Sequence, residues 1–356
     1  MTTTAARSFD VASTFGVQAR PGLEVIGFAD DTHPQIPVRK PYVFRNEILR
    51  DVLAFLHDIS GDGMFLTGPT GSGKTSLVTQ AAARLCWPVQ SVTCHGRMEL
   101  NALVGQFILV QGETRFIHGP LSVAARDGHI LILNESDLMD PAELAGLNDI
   151  IEGQPLVIAE NGGEVIRPHP KFRVFATGNS VGAGDGSGLY QGVLRQNLAF
   201  MDRFRVVQVG YPEPEIEQQV VSQAAPKLPV LIIDKMIQVA GEIRRLFVGD
   251  HEGGGPELTV TMSTRTLVRW AHLSLTLVQH QVGLTRATIN KREAEKLGKG
   301  YRSVGQVLIG SDGEVRPVPW RQPSSPVPQP LPKPEPKKAL IDLAALLGGP
   351  GDGFYF

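Results

Sequence analysis

Cysteine is nearly absent: Cys86 and Cys94 are the two in 356 residues. No CxxC pair or Cys/His cluster accompanies them, so neither a disulfide framework nor a zinc-ribbon site is expected, and both thiols read as reduced and buried. Charge of one sign is not in excess either. The formal net charge is −2, so nothing global draws the chain to nucleic acid or to an anionic membrane surface. No run approaches the ~18 apolar residues of a membrane span. The start, MTTTAARSFD, lacks the charged-then-apolar pattern of a secretory leader. These absences set the expectation of a cytoplasmic, soluble protein with no membrane partner and with nucleic acid disfavoured.

Apolar residues are plentiful, at 42%, and the chain is long enough for two domains with tails. Residues 1–40 mix Gly, Pro, Asp and Thr with short apolar pieces and read as an N-terminal arm. Helical spacing of apolar residues covers 45–59, a short apolar strand 64–67, a helix 74–85 and a strand 89–93. Hairpins are expected at 107-FILVQGETRFI-117 and at 156-LVIAENGGEVI-166, where Asn161-Gly162 is a strong turn signal. Between them lie a strand, 130–133, and a helix, 140–152, which Asp140 can cap with Pro141 in its first turn. Further strands are read at 172–177 and 206–209.

Strands alternating with helices predict an α/β fold, a parallel sheet covered on both faces. After 211-YPEPE-215 only helices follow, at about 215–224, 228–247 and 263–280. The expected organisation is therefore an arm, an α/β nucleotide-binding core over 41–212, a small all-α lid over 213–283 and a tail over 284–356. That tail has six basic and two acidic residues between 286 and 302, then a Pro-rich stretch over 317–337 and a short apolar segment before the aromatic end.

The chemistry is concentrated in 68-GPTGSGKT-75, which fits G-x-x-x-x-G-K-[ST] and lies between an expected strand and helix. Gly68, Pro69, Thr70, Gly71, Ser72 and Gly73 would form a loop whose backbone N–H groups turn inward around phosphate oxygens. A helix starting near Lys74 aims its positive end at the anion. Lys74 adds a point charge for the outer phosphates, and the Thr75 hydroxyl can ligate Mg²⁺. ATP and Mg²⁺ are the expected ligands.

In 130-ILILNESD-137 an apolar strand runs into the place where P-loop enzymes keep an acidic pair. Here the first member is Asn134, a second candidate at the metal, and only Glu135 keeps its charge. Asn134 retains a carbonyl acceptor for a magnesium-bound water and loses the charge that compensates the cation. Glu135 stands where a general base for the attacking water belongs. Asp137 is a fallback acid or a local cap. Asn179, after the strand 172–177, can orient the lytic water or sit in a turn. Arg203 in 201-MDRF-204 is a charge donor to the γ-phosphate of a neighbouring subunit or a local ion pair with Asp202. Arg265 in 263-STRTLVRW-270 reaches the phosphates from a lid helix or opens a solvated helix. The run 181-VGAGDGSGLYQG-192 reads as a mobile loop.

The order of strand, P-loop, hairpin, acidic strand end, hairpin, Asn and D-R-F resembles the AAA+ ATPases of the MoxR and chelatase group. Within it, 166-IRPHPKFRVFATGNSVGAGDGSGLYQG-192 is similar to the CobS-type ATPase subunits of aerobic cobaltochelatases, with support from 15-FGV-17, 87-WP-88 and 103-LVG-105. The resemblance covers about residues 11–280. It implies sensor 1 at Asn179, an arginine finger at Arg203 and sensor 2 at Arg265. It also implies a homo-oligomeric, hexameric ring working with a von Willebrand factor A domain protein and a large chelatase subunit. The group carries Asp where this chain has Asn134, and its members do not share the tail after 283. A second reading follows from Asn134: an ATP-gated assembly scaffold with little hydrolysis. A third, a nucleic-acid motor prompted by the basic run 286–302, is opposed by the overall charge.

Overall fold

The computed structural model describes residues 6–58, 61–180, 182, 192–248 and 261–279, with three short strands nearer the C-terminus. The chain divides into two units, Met1–Gln281 and Val282–Phe356. In the first, five strands form a parallel sheet: β3 (Gly63–Thr67), β4 (Val89–Thr93), β7 (Ile130–Asn134), β10 (Arg173–Gly178) and β11 (Phe204–Gln208). Their spatial order is β11-β3-β10-β7-β4, with every pairing parallel.

Alternation along these strands builds two cores. Met64, Leu66, Ile130, Ile132 and Phe175 point to one face, packing with α2 (Asn46–His57) and α3 (Lys74–Arg84). Phe65, Leu131, Leu133, Val174 and Ala176 point to the other, against α5 (Pro120–Asp127) and its neighbours. A strand buried on both faces reads as a continuous apolar run, which is how β3 and β7 are written. Burying each such large side chain contributes roughly 1.5–3 kcal/mol.

Residues 6–28 of the arm are ordered against the core. β1 (Ala6–Asp10) and β2 (Glu24–Phe28) pair antiparallel around the short helix α1 (Val11–Phe15). Val11, Phe15 and Phe28 are buried in the first core. The stretch expected as one helix over 140–152 is two, α6 (Pro141–Ala145) and α7 (Asn148–Ile151). Asp140 does cap α6, accepting from Ala142 N at 2.8 Å. The break falls at Gly146, which lies so close to Leu100 that a β-carbon there would come within 2.5 Å of its Cδ2.

Both expected hairpins form. β5 (Gly105–Val110) pairs with β6 (Glu113–His118), and β8 (Leu156–Ile158) with β9 (Glu164–Ile166). Asn161-Gly162 is not a two-residue turn, however. A short 3₁₀ turn, Ala159–Asn161, precedes two glycines with positive φ, and Asn161 Nδ2 donates to Glu164 Oε2 at 2.6 Å. The remaining short helices are α4 (Leu100–Val104) and α8 (Leu198–Met201).

From residue 214 helices alone follow: α9 (Pro214–Ala224), α10 (Val230–Val248) and α11 (Thr264–Gln279). They share a separate core that includes Val221, Ile233, Met236, Ala240, Leu267 and Ala271. In the second unit β12 (Arg302–Val304), β13 (Val307–Ile309) and β14 (Val315–Pro317) form an antiparallel sheet, which the sequence reading did not foresee. Nearly all of the Pro-rich stretch, of the Gly-rich loop and of the basic run lies outside the described residues. Among the described residues no helix is long and apolar enough to cross a membrane. Both cysteines are free, and burial pushes the Cys94 thiol up to about 12.

Candidate active site

Parallel strands put all their C-terminal ends at one edge of the sheet, where ligands of such folds bind. The register sets Gly178 beside Thr67 and Ala176 beside Leu133. The residues following β3, β7 and β10 are therefore brought together, although up to 105 positions separate them in sequence.

After β3 the chain turns through Gly68 (φ 144°), Gly71 (φ 70°) and Gly73 (φ 98°), all positive. Gly71 also has no room for a side chain: a β-carbon would come within 2.5 Å of Ser263 Cβ and 3.6 Å of Arg265 Cβ. Helix α3 then starts at Lys74, with Gly73 as its cap and no side-chain cap bond, so its first N–H groups stay directed at the loop. Lys74 Nζ donates to Gly68 O at 2.6 Å, Pro69 O at 3.1 Å and Asn179 Oδ1 at 3.1 Å. Burial lowers the lysine to about 8, and Arg265 pushes the same way, against Asp137 and Glu135, which favour its charge.

Thr75 Oγ1 donates to Asn134 Oδ1 at 2.6 Å. The amide nitrogen of Asn134 faces away, donating to Ser91 Oγ at 2.8 Å and to Val92 O at 3.3 Å on the neighbouring β4. The polar end of this side chain is thus split, with its acceptor towards the P-loop and its donor towards the sheet. Two neutral oxygens meet where Mg²⁺ would sit. They fit a hard cation that keeps most of its waters.

Glu135 follows in a left-handed conformation (φ 53°, ψ 43°), which a non-glycine residue adopts only where surrounding structure holds it. Its N–H donates to Thr177 Oγ1 at 3.0 Å, and its side chain is exposed at the site. Asp137 is fully buried. Its Oδ2 accepts from Asn179 N at 2.7 Å, so it is the group that fixes where Asn179 leaves β10. Burial raises its carboxyl, while backbone N–H groups of Asn179 and Ser180 and the charge of Lys74 oppose that rise. Gly178 leaves room on both sides of the strand end, since a β-carbon there would lie 2.6 Å from Phe65 Cζ and 3.1 Å from Asp137 Oδ2. The sequence signal for Asp137 was its two-residue offset from Glu135. Burial, invisible in the sequence, gives it its weight.

The two arginines are placed differently. Arg265 is the second residue of α11, whose first turn lies over Gly71. Arg203 precedes β11, and its carbonyl accepts from Gly63 N at 2.8 Å at the opposite end of β3. Five residues of strand separate that end from the P-loop, about 16 Å at this rise per residue. Arg203 therefore does not belong to the cluster formed by its own chain. Its ion-pair partner is Glu152, at 2.8 Å, rather than the adjacent Asp202.

Residues 63–204 match the AAA domain (dynein-related subfamily), and residues 217–294 match the CbbQ/NirQ/NorQ C-terminal family. The aerobic cobaltochelatase subunit CobS of a Sinorhizobium species is 31% identical over 240 residues, 65% of this chain and 70% of that protein. NorQ of Paracoccus denitrificans is 31% identical over 252 residues, 69% of this chain and 86% of NorQ. CbbQ of Hydrogenophilus thermoluteolus is 30% identical over 206 residues, 58% of this chain and 71% of CbbQ. With a parallel five-stranded sheet, a P-loop and a helical C-terminal region of the matching kind, this chain belongs to the MoxR-like AAA+ ATPases of the CobS, NorQ and CbbQ type.

Proposed function

We propose that the protein binds ATP with Mg²⁺ and hydrolyses it in a ring of identical subunits, using the cycle to remodel or activate a partner. The observation that carries this reading is the meeting of Lys74, Thr75, Asn134 and Asn179 within hydrogen-bond reach at one sheet edge. Gly68, Pro69, Thr70, Gly71, Ser72 and Gly73 cradle the phosphates through backbone N–H groups, and Lys74 moves from loop carbonyls to phosphate oxygens. Thr75 and Asn134 hold the metal side. When bound, Mg²⁺ neutralises charge building on the outer phosphates.

Glu135 accepts the proton of the attacking water, and Asn179, anchored by Asp137, holds that water in line. Arg265 contacts the phosphates from the first turn of α11. Arg203 acts on the site of the adjacent subunit, which its position at the far end of β3 supports, and stabilises charge as the γ-phosphate leaves. By likeness to CobS, the partner is a large chelatase subunit or a protein with a von Willebrand factor A domain, the ring is hexameric and the setting cytoplasmic. Turnover compared with Lys74→Ala, and particle mass measured with and without ATP, test the reading. A wild-type protein that stays monomeric and matches Lys74→Ala in turnover would end it.

A further inference from the structure

The helices beyond residue 213 touch the P-loop through a polar chain that the site described above does not use. Tyr211 Oη donates to Thr70 O at 3.0 Å. The guanidinium of Arg244 lies over the Tyr211 ring, 4.1 Å from its centroid. Arg244 grips Glu217 with both terminal nitrogens, at 2.9 and 2.7 Å, and its Nε donates to Met262 O at 2.6 Å. Glu217 is 1% exposed, and its Oε1 also accepts from Thr264 Oγ1 at 2.6 Å. Thr264 is the first residue of α11 and the neighbour of Arg265.

A surface ion pair would mean little here, but this one is enclosed, bidentate and stacked, which fixes direction as well as charge. The geometry of the peptide unit gives the contact at Thr70 its consequence. In a trans peptide the carbonyl and the following N–H point in opposite directions. Holding Thr70 C=O on Tyr211 therefore sets the Gly71 N–H to the opposite side of that peptide, away from the tyrosine. The other arm of the chain holds the start of α11, whose Ser263 and Arg265 pack on Gly71. Both arms converge on one glycine.

We propose that Arg244 is a positioning residue that ties the P-loop to the first turn of α11, through Tyr211 on one side and Glu217 on the other. The Gly71 N–H and the Arg265 guanidinium are thereby aimed at the same phosphates. The inference rests on the ATPase reading above, and the experiment separates the two.

Full-length wild type, Tyr211→Phe, Arg244→Lys, Arg265→Ala, the Tyr211→Phe/Arg265→Ala pair and Lys74→Ala are compared for binding of a fluorescent ATP analogue, kcat, KM and melting temperature. Tyr211→Phe removes one hydroxyl and keeps the stacked ring, so its nucleotide-free melting temperature stays close to wild type while ATP affinity falls several-fold. Arg244→Lys keeps the charge without the fork, and lowers kcat as well as affinity. In the double variant the loss from Tyr211→Phe shrinks, because Arg265 is already gone. Wild-type binding and turnover in Tyr211→Phe and Arg244→Lys, or strictly additive losses in the pair, would overturn the positioning role while Lys74→Ala still differs from wild type. A wild type indistinguishable from Lys74→Ala in both binding and turnover would overturn the ATPase reading and this inference together.

Discussion

The Thr75 hydroxyl and the Asn134 side chain share a hydrogen bond of 2.6 Å across 59 positions of sequence. The opposite end of the same amide is anchored on Ser91 and Val92 of β4. An amide suits this place because its nitrogen can donate both to Ser91 Oγ and to Val92 O, and a carboxylate oxygen cannot donate to that carbonyl. Replacing Asn134 by Asp adds the charge that a cation prefers and sets an oxygen against that carbonyl. We expect Asn134→Asp to lower the half-saturating Mg²⁺ several-fold in an ATPase titration. The same variant should lose about 1 kcal/mol of stability in denaturant unfolding. If the wild-type rate is near zero and Asp raises it many-fold, the chain is the ATP-gated scaffold instead.

Glu135 makes its backbone contact with Thr177 whatever its side chain does. Glu135→Gln should therefore fold, bind ATP as wild type does, and lose turnover by a factor on the order of 10²–10⁴, the usual contribution of a general base. Equilibrium binding beside single-turnover hydrolysis checks both halves. Unchanged turnover would remove Glu135 from the chemistry.

Lys74 gives the site a pH signature. Its folded-state value is lowered to about 8, chiefly by burial, below the unfolded value of about 10.4. Between those two values the unfolded chain holds more protons, so this group makes the nucleotide-free protein more stable as pH rises from 8 towards 10. ATP affinity runs the other way, because phosphate needs the charged lysine. Binding measured by calorimetry near pH 8.5 in buffers of different ionisation enthalpy should show proton uptake, and that uptake should vanish in Lys74→Ala.

Arg203 is held by Glu152 and by Ala199 O within its own chain, far from its own P-loop. Arg203→Ala alone should lose turnover by about 10³-fold or more, as removal of an arginine finger does, while still binding ATP. Lys74→Ala alone should fail to bind. Mixed together, the two variants form junctions in which an intact P-loop faces an intact Arg203. Partial recovery of turnover on mixing is the expected result. A mixture no more active than its components would place Arg203 outside the reaction.

The P-loop was readable because its demands are local. Positive φ at Gly68, Gly71 and Gly73, a helix start at Lys74 and a buried strand before them each follow from residue type within a few positions. The continuous apolar runs of β7 and β10, buried on both faces, were readable for the same reason. The single helix expected over 140–152 is interrupted at Gly146, a helix-weakening residue whose signal the apolar spacing on either side masked. The N-terminal hairpin escaped notice because its strands are half exposed and pair across an intervening helix.

Residue types and their spacing were sufficient for the fold class and for the glycine-rich turn that leads from β3 into α3, since each depends on neighbours along the chain. They could not say that Arg203 pairs with Glu152 rather than Asp202, or which way the Asn134 amide is turned. Nor could they say that Asp137 is buried under Asn179, or that Tyr211 reaches Thr70. Those relationships join segments tens to more than a hundred positions apart. Separation along the chain carries no information about direction in space until the sheet's register and the packing of its two faces have set it.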